Sequence, residues 1–268
     1  MGEYCYFLGG QDLEMVTIRE LLEDYAPDRI HDKHLSWGAK ASAYRNEISA
    51  CLSEGGIPVL IELEDDINLD HSRVIFVDHH GERAGGPTSL HQIFGLLGLP
   101  KEKWTRRFDL VEANDSGYIP ALIEAGATEE EIISIRAADR RAQGITELEE
   151  KAGEAAIAGL DIRAGGALTI VRLSHSHTAV VTDRLEPALG GPGYENLLVI
   201  SPGEVNFFGV GDLVRALEEA FPDGWSGGAL PERGFWGHLL GRVSAQEVVG
   251  CLAHHLETRQ RQPISQHS

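Results

Sequence analysis

A carboxylate and two imidazoles stand in consecutive positions near the end of the first third of the chain. Asp78, His79 and His80 directly follow the apolar run 74–77, which is typical of a buried strand. Carboxylate oxygens and imidazole nitrogens together suit Mn²⁺, Mg²⁺, Zn²⁺ or Fe²⁺. A pair of histidines is more often structural in an arbitrary protein, but their position after a strand favours a metal site here.

Other carboxylates also follow predicted strands. Asp12 and Glu14 come shortly after the first predicted strand, and Glu62 directly follows the second. Asp115 lies among small and polar residues beside Gly117. Each has a plainer interpretation: compensation of a helix dipole for the first two, an acidic surface loop for Glu62, and a turn for Asp115. For Asp12 and Glu14, spacing alone favours the helix interpretation.

These residues must be positioned by alternating strands and helices. The predicted strands of the first half are 4–8, 58–61 and 74–77, and the predicted helices start near residues 12, 36 and 88, the second extending over 36–52. Such alternation implies βαβ units and a mainly parallel sheet with helices on both faces. Ligands of these sheets bind outside the carboxyl ends of the strands, so Asp12 and Asp78 are expected to converge on one crevice.

A helical, acidic segment divides the chain. It extends from about residue 127 to 159, and short apolar runs beyond it, such as 180–181 and 197–200, predict further strands. The last part is predicted to contain a helix at 210–221, a glycine-rich loop at 224–241 and a helix at 245–256. We therefore predict an α/β fold in three parts: a metal-binding domain (1–125), a helical connector (126–160) and a smaller mixed α/β substrate-binding domain (161–268).

Composition limits the classes of function. The 268 residues include 23 basic and 42 acidic ones, and the formal charge of −19 repels long polyanions such as duplex DNA. A small phosphorylated ligand stays compatible, because a divalent cation reverses the field within one cleft. Three isolated cysteines predict no disulfide framework, and no apolar stretch reaches the ~20 residues of a membrane span. We therefore expect a cytoplasmic protein with no membrane partner, and we leave a homodimer open.

The order of these motifs resembles that of the DHH phosphoesterase family over roughly residues 1–120. That family includes nanoRNA and cyclic dinucleotide phosphodiesterases, single-strand exonucleases and family II inorganic pyrophosphatases. Its members bind two divalent ions, usually Mn²⁺. The resemblance implies Asp12, Glu14, Asp78, His79 and Asp115 as metal ligands, Glu62 as a candidate bridge, and His80 with Asp78 as catalytic residues, His80 facing the substrate phosphate.

The chain departs from the family pattern at three places. Leu8 and Gly9-Gly10 occupy the stretch where the family commonly has a His, while Glu14 and Glu62 stand where Asp is expected. Three interpretations therefore stay open: a phosphoesterase, a noncatalytic ligand-binding or regulatory protein with a degenerate metal site, and a metal-dependent enzyme that acts on a compound without phosphate.

The second domain of the family holds the substrate with a glycine-rich loop, and residues 226–238 resemble this loop loosely. The resemblance implies that Gly227, Gly228, Arg233 and His238 bind the substrate. A flexible loop with an aromatic anchor is an alternative of equal weight.

Two further sets of residues each have two interpretations. His175 and His177 fall on one face of a predicted strand, where they are compatible with a second metal site, although a solvated strand face is the favoured interpretation. Arg136, on the predicted connector, either lines the cleft or pairs with neighbouring acids.

The leading prediction is a metal-dependent attack of water on a small phosphoester or phosphoanhydride. A short oligonucleotide, a cyclic dinucleotide and a nucleotide are the expected kinds of substrate. The smaller domain is expected to close over the metal site, with the substrate between the two domains.

Overall fold

The computed structural model describes residues 3–36, 38–80, 83, 85–228 and 230–261. The chain forms two compact units, Met1–Gly144 and Ile145–Ser268, which are called unit 1 and unit 2 below. Unit 1 contains a parallel sheet and unit 2 a mixed sheet, each with helices, so the predicted α/β class is confirmed. Among the described helices, none combines the length and the apolar character that crossing a bilayer requires.

The described part of unit 1 is built on a four-stranded parallel sheet. Its strands are β1 (Tyr4–Leu8), β2 (Ile30–His31), β3 (Ile57–Ile61) and β4 (Ile75–Val77), in the order β2-β1-β3-β4. Leu8 pairs with Ile61, and Ile61 pairs with Val77. Because these residues end their strands, the segments that follow β1, β3 and β4 leave the sheet at one edge.

Helices pack around this sheet. They are α1 (Leu13–Tyr25), α2 (Arg45–Ser53), α3 (Ser89–Leu96), α4 (Arg106–Glu124) and α5 (Glu129–Ala142). Phe7 and Leu60 pack with Ile48 of α2 on one face of the sheet. Side chains alternate along a strand, so the fully buried Val59 and Ile61 point to the opposite face. Burial on both faces is what a parallel sheet requires.

The helix predicted over 36–52 is shorter than expected. α2 begins at Arg45, and residues 41–44 form a short 3-10 turn. The N–H of Ala41 donates to the carbonyl oxygen of Glu64, beyond β3, at 2.9 Å. This contact between distant parts of the chain takes the place of a local helical hydrogen bond.

The turn interpretation of Asp115 is wrong, because Asp115 lies inside α4. The helix is interrupted directly after it, at Gly117 and Tyr118. Tyr118 has a φ of 60°, in the left-handed region that residues other than glycine rarely adopt. The small-residue signal in the sequence therefore marks a kink within a helix.

The predicted connector consists of two helices that group with different units. α5 belongs to unit 1, and α6 (Glu147–Ala158) belongs to unit 2. Each starts with a capping box, in which a Thr and a Glu satisfy each other's backbone N–H groups. The domain boundaries drawn from the sequence stay a prediction.

Unit 2 contains a six-stranded mixed sheet in the order β5-β6-β7-β8-β10-β9. The strands are β5 (Asp161–Arg163), β6 (Leu168–Arg172), β7 (Leu197–Ile200), β8 (Glu204–Val210), β9 (Trp225–Gly227) and β10 (Arg233–Leu239). The helices besides α6 are α7 (Ala179–Leu185), α8 (Gly211–Ala220) and α9 (Ala245–Arg261). Two apolar clusters form its core, one with α8 and α9 and one with α7.

Two local predictions in unit 2 are wrong. The residues 180–181, predicted as strand, lie in α7, where both valines are buried against the sheet. The predicted loop 224–241 contains β9 and β10, because β10 finds a partner along the whole of β8. The helices predicted at 210–221 and 245–256 are confirmed as α8 and α9.

Candidate metal centre

Side chains from four separate segments of unit 1 meet around His79. Its Nε2 lies 2.6 Å from Asp115 Oδ2, 3.5 Å from Glu14 Oε2 and 3.7 Å from Glu62 Oε1. The side chains of Glu14 and His79 are 1% and 9% exposed. Donor atoms of Glu14, His79 and Asp115 all lie within 4.8 Å of one another. One imidazole and three carboxylates therefore meet in a site that is largely closed to solvent.

The turn after β1 brings Glu14 into this group. A Cβ atom at Gly9 would collide with the backbone carbonyl of Glu62, so only glycine allows the turn to approach the end of β3 so closely. Asp12 caps α1 through a hydrogen bond from Met15 N–H at 2.8 Å. Glu14 follows in the first turn, where its Oε1 accepts the N–H of Leu90 at 2.8 Å.

Glu62 is held in an uncommon backbone conformation. Its φ of 51° lies in the left-handed region, which costs free energy for a residue with a side chain. Its Oε1 accepts a hydrogen bond from Ser89 Oγ at 2.8 Å, at the start of α3. The Ser89 contact and the backbone turn together direct the carboxylate toward His79 and His80.

Three atoms at the centre of the group lack hydrogen bonds among the described residues. These are Glu14 Oε2, His79 Nε2 and Asp115 Oδ2, all of them buried. His79 Nε2 and Asp115 Oδ2 lie 2.6 Å apart and form an ion pair when the imidazole is protonated, but their geometry is not that of a hydrogen bond. Buried polar atoms are expensive to leave unpaired. One nitrogen and two carboxylate oxygens facing a common point are a fitting donor set for a divalent metal ion.

The electrostatics of the group point the same way. Burial, followed by the charges of Glu14 and Asp115, raises the pKa of Glu62 to about 8. Burial, followed by the charge of Glu62, raises the pKa of Asp12 to about 7. The nearby Asp115 and then Glu14 raise the pKa of His79 to about 10. The site thus holds an excess of negative charge that protons or a cation must neutralise.

The remaining residues implied by the family resemblance lie at the edge of the group. Asp78 Oδ1 accepts the backbone N–H of His80 at 2.9 Å and lies 3.2 Å from His80 Nδ1. His80 is half exposed, and its Nδ1 lies 3.9 Å from Glu62 Oε1. Glu62, His79 and His80 thus form a second group with metal-binding spacing. Asp12 affects the group through its charge, while its carboxylate serves as the cap of α1.

A buried network behind the site was not predicted as part of it. Arg136 donates to Asp139 Oδ2 at 2.8 Å and to Asn114 Oδ1 at 2.7 Å. Asp139 also accepts the N–H of Leu13, the first residue of α1. The network therefore fixes the start of α1 relative to the part of α4 that carries Asp115. The Arg and Asp three residues apart on α5 are the only sequence signal for it, and they agree with the pairing interpretation of Arg136.

The predicted substrate-binding residues lie in unit 2. Arg233 lies over the ring of Tyr194, at 5.8 Å from its centroid. His238 is buried, and its ring nitrogens lie 2.9 and 3.2 Å from the backbone carbonyl oxygens of Leu239 and Pro222, so each nitrogen faces a backbone acceptor. Gly227 and Gly228 lie where β9 and β10 approach closely, and a Cβ on either would contact the neighbouring strand at under 3 Å. These glycines have a structural role, and substrate binding by this loop stays a prediction.

Comparisons with known proteins bear on the fold. No family model and no curated protein matches the sequence. The crystal structure of RecJ from Thermus thermophilus in complex with Mn²⁺ matches 98% of this chain and 53% of its own, with a TM-score of 0.52 and 14% identity. An exopolyphosphatase-related protein from Bacteroides fragilis matches 97% of this chain and 92% of its own, with a TM-score of 0.51 and 11% identity.

The chain spans about half the length of the RecJ chain that it matches. Both similar structures come from the DHH family. The resemblance that the Asp-His-His motif predicts is therefore confirmed at the level of the fold.

Proposed function

We propose that this protein is a metal-dependent phosphoesterase that hydrolyses a small phosphoester or phosphoanhydride, with Mn²⁺ as the favoured ion. The observation that carries the proposal is the convergence of Glu14, His79 and Asp115, whose facing atoms are buried without hydrogen bonds. The similar fold of RecJ, which was solved with Mn²⁺, supports the choice of ion. A short oligonucleotide, a cyclic dinucleotide and a nucleotide are the proposed substrates.

Each residue has a distinct role in this proposal. Glu14, His79 and Asp115 hold one ion, and Glu62 supplies a carboxylate donor toward a second. A bound divalent ion lowers the pKa of water and stabilises charge that develops on a phosphoryl oxygen. His80 faces solvent and contacts the substrate phosphate, while Asp78 positions its ring through the contact at Nδ1.

Two observations favour a second candidate, a noncatalytic binding protein that holds a single ion. The carboxylate of Asp78 accepts the backbone N–H of His80. Gly9 lies so close to the backbone carbonyl of Glu62 that no residue with a metal-binding side chain fits at position 9. Only the group of Glu14, His79 and Asp115 then offers three buried donors among the described residues of unit 1. A one-ion site suffices for binding, whereas the two-metal mechanism needs both ions.

Activity and metal content measured on the same samples distinguish the two candidates. The chain is stripped with a chelator, reconstituted with Mn²⁺, and tested on bis(p-nitrophenyl) phosphate and a panel of dinucleotides. His79→Ala and Asp115→Asn are expected to lose both turnover and bound Mn²⁺. The matched control is His71→Ala, since His71 also lies beside a carboxylate of unit 1, 3.1 Å from Asp65, but is exposed.

The outcomes separate cleanly. Turnover in the wild type and in the His71 variant, with loss in the other two, supports the phosphoesterase. A wild type that holds one Mn²⁺ per chain without turnover on any phosphorylated substrate supports the binding protein. A wild type with neither metal nor turnover contradicts both proposals.

A further inference from the structure

Another group of side chains with metal-binding spacing lies in unit 2 and shares no residue with the centre of unit 1. His175 and His177 are in the segment between β6 and α7, and not on a strand as predicted from the sequence. Glu149 lies in the first turn of α6. One donor atom from each of the three residues lies within 4.8 Å of the others. Glu149 therefore meets two histidines that follow it by 26 and 28 positions in the sequence.

The carboxylate of Glu149 is fixed before any ligand arrives. Its Oε2 accepts hydrogen bonds from the N–H and the Oγ of Thr146, both at 2.8 Å, as part of the capping box of α6. Its Oε1 faces the histidines, 3.0 Å from His177 Nδ1 and 4.0 Å from His175 Nδ1. The Thr146 N–H, above all, lowers the pKa of Glu149, so the group stays ionised. One oxygen thus holds the rotamer and the other is presented to the site.

The ring of His175 is oriented in the manner of a metal ligand. Its Nε2 lies 3.1 Å from the backbone carbonyl oxygen of Glu149, which can only accept, so Nε2 carries the proton. The lone pair of the neutral ring is then on Nδ1, where its partner is the N–H of His177 at a long 3.2 Å. Metal-binding histidines commonly donate their second nitrogen to a carbonyl in this way.

The burial of the group suits an ion that keeps one open position. The side chains of His175, Glu149 and His177 are 13%, 23% and 36% exposed, so the site is sheltered on one side and open on the other. Two imidazoles and one carboxylate are a donor set that Zn²⁺ accepts, with water or an anionic ligand in the fourth position. A simple ion pair between His177 and Glu149 does not require the oriented His175.

We propose that Glu149, His175 and His177 form a zinc-binding site in unit 2, independent of the metal centre of unit 1. The ion joins the first turn of α6 to the segment after β6 and leaves one coordination position for water or an anionic group. Binding replaces the proton that His177 Nδ1 shares with Glu149 and the long hydrogen bond to His175 Nδ1. The site stands whether or not unit 1 hydrolyses phosphoesters.

In the test, the full chain is stripped with a chelator and titrated with Zn²⁺, and the bound zinc is counted. Co²⁺ is then bound in place of Zn²⁺, because its absorption bands report the ligands. Glu149→Gln is the sharpest variant, because Gln at this position preserves the capping box and removes the charged ligand. It is expected to weaken Zn²⁺ binding by about tenfold or more, while circular dichroism shows that the metal-free variant stays folded. The double variant His175→Ala/His177→Ala is expected to lose one Zn²⁺ per chain. It should also lose the Co²⁺ absorption bands that are typical of a four-coordinate site.

Two controls locate the ion. His79→Ala removes a ligand of the unit 1 centre and is expected to retain the zinc of unit 2. His254→Ala/His255→Ala removes two adjacent exposed histidines of α9 and is also expected to retain it. Zinc content and affinity that are unchanged in both Glu149→Gln and His175→Ala/His177→Ala would falsify the proposal, as would loss of all zinc in either control.

Discussion

The electrostatics of the unit 1 centre predict how its stability depends on pH when metal is absent. Glu62 is the useful residue to change, because its side chain is only 10% exposed and its pKa is raised to about 8 from the usual 4.5. In the folded chain Glu62 therefore holds a proton over a pH range in which the unfolded chain has lost it. Between pH 4.5 and 8 the folded state binds more protons, so stability falls as the pH rises through this window.

Glu62→Gln removes this titration while keeping an oxygen that accepts the hydrogen bond from Ser89. A rise of the pKa from 4.5 to about 8 corresponds to roughly 5 kcal/mol of destabilisation above pH 8. Glu62 shares its protons with neighbouring groups, so about 2–3 kcal/mol is the gain we expect for the metal-free variant at pH 8.5. The gain should vanish below pH 4.5, where Glu62 is protonated in both states.

The assay is thermal and urea unfolding in the presence of a chelator, at pH 5 and pH 8.5, for the wild type and Glu62→Gln. Glu64→Gln is the control, since Glu64 follows the same strand but its side chain is 64% exposed. We expect the wild type and the Glu64 variant to lose stability between the two pH values by more than Glu62→Gln does. Equal pH dependence in all three proteins would refute the idea that Glu62 is a buried, proton-holding carboxylate.

Three further predictions concern the same unit. Gly9→Ala should destabilise the chain by about 1–3 kcal/mol and weaken Mn²⁺ binding, because the added methyl group collides with the carbonyl of Glu62. Unfolding curves measure the loss of stability, and metal titration measures the loss of affinity. Arg136→Met should cost about 3–5 kcal/mol in urea unfolding, since it removes the guanidinium that lies 2.8 Å from the buried carboxylate of Asp139, and a cost below about 1 kcal/mol would contradict the network. Saturating Mn²⁺, at about 100 times its Kd, should stabilise the wild type by about 2.7 kcal/mol and leave His79→Ala unchanged in calorimetry.

Much of the candidate metal centre follows from local sequence. The apolar runs that end at Leu8, Ile61 and Val77 predict parallel strands, and the registers of β1, β3 and β4 place these three ends side by side. Polar residues that follow parallel strands must share one edge of the sheet. For this reason the order of strands and carboxylates along the chain is enough to predict that the segments carrying Glu14 and His79 converge.

Other features depended on contacts between distant residues. Position 115 looks like a turn in the sequence, because a kink within a helix uses the same small residues, and only packing distinguishes the two. Val180 and Val181 have high strand propensity, but they lie in α7, where they are buried in the apolar cluster that this helix forms with the sheet of unit 2. β-propensity reports how a side chain fits its neighbours, and those neighbours are absent from a local window of sequence.

The Glu149, His175 and His177 group of unit 2 shows the same limit most clearly. His175 and His177 are two residues apart, and sequence spacing alone favours a solvated strand face for such a pair. Their partner Glu149 is 26 positions before His175, in a helix that was predicted as part of a connector. The sequence thus determined the fold class and which strand ends carry candidate ligands. The tertiary structure decided which donors converge, because long-range hydrogen bonds and burial set the side-chain directions that periodicity cannot specify.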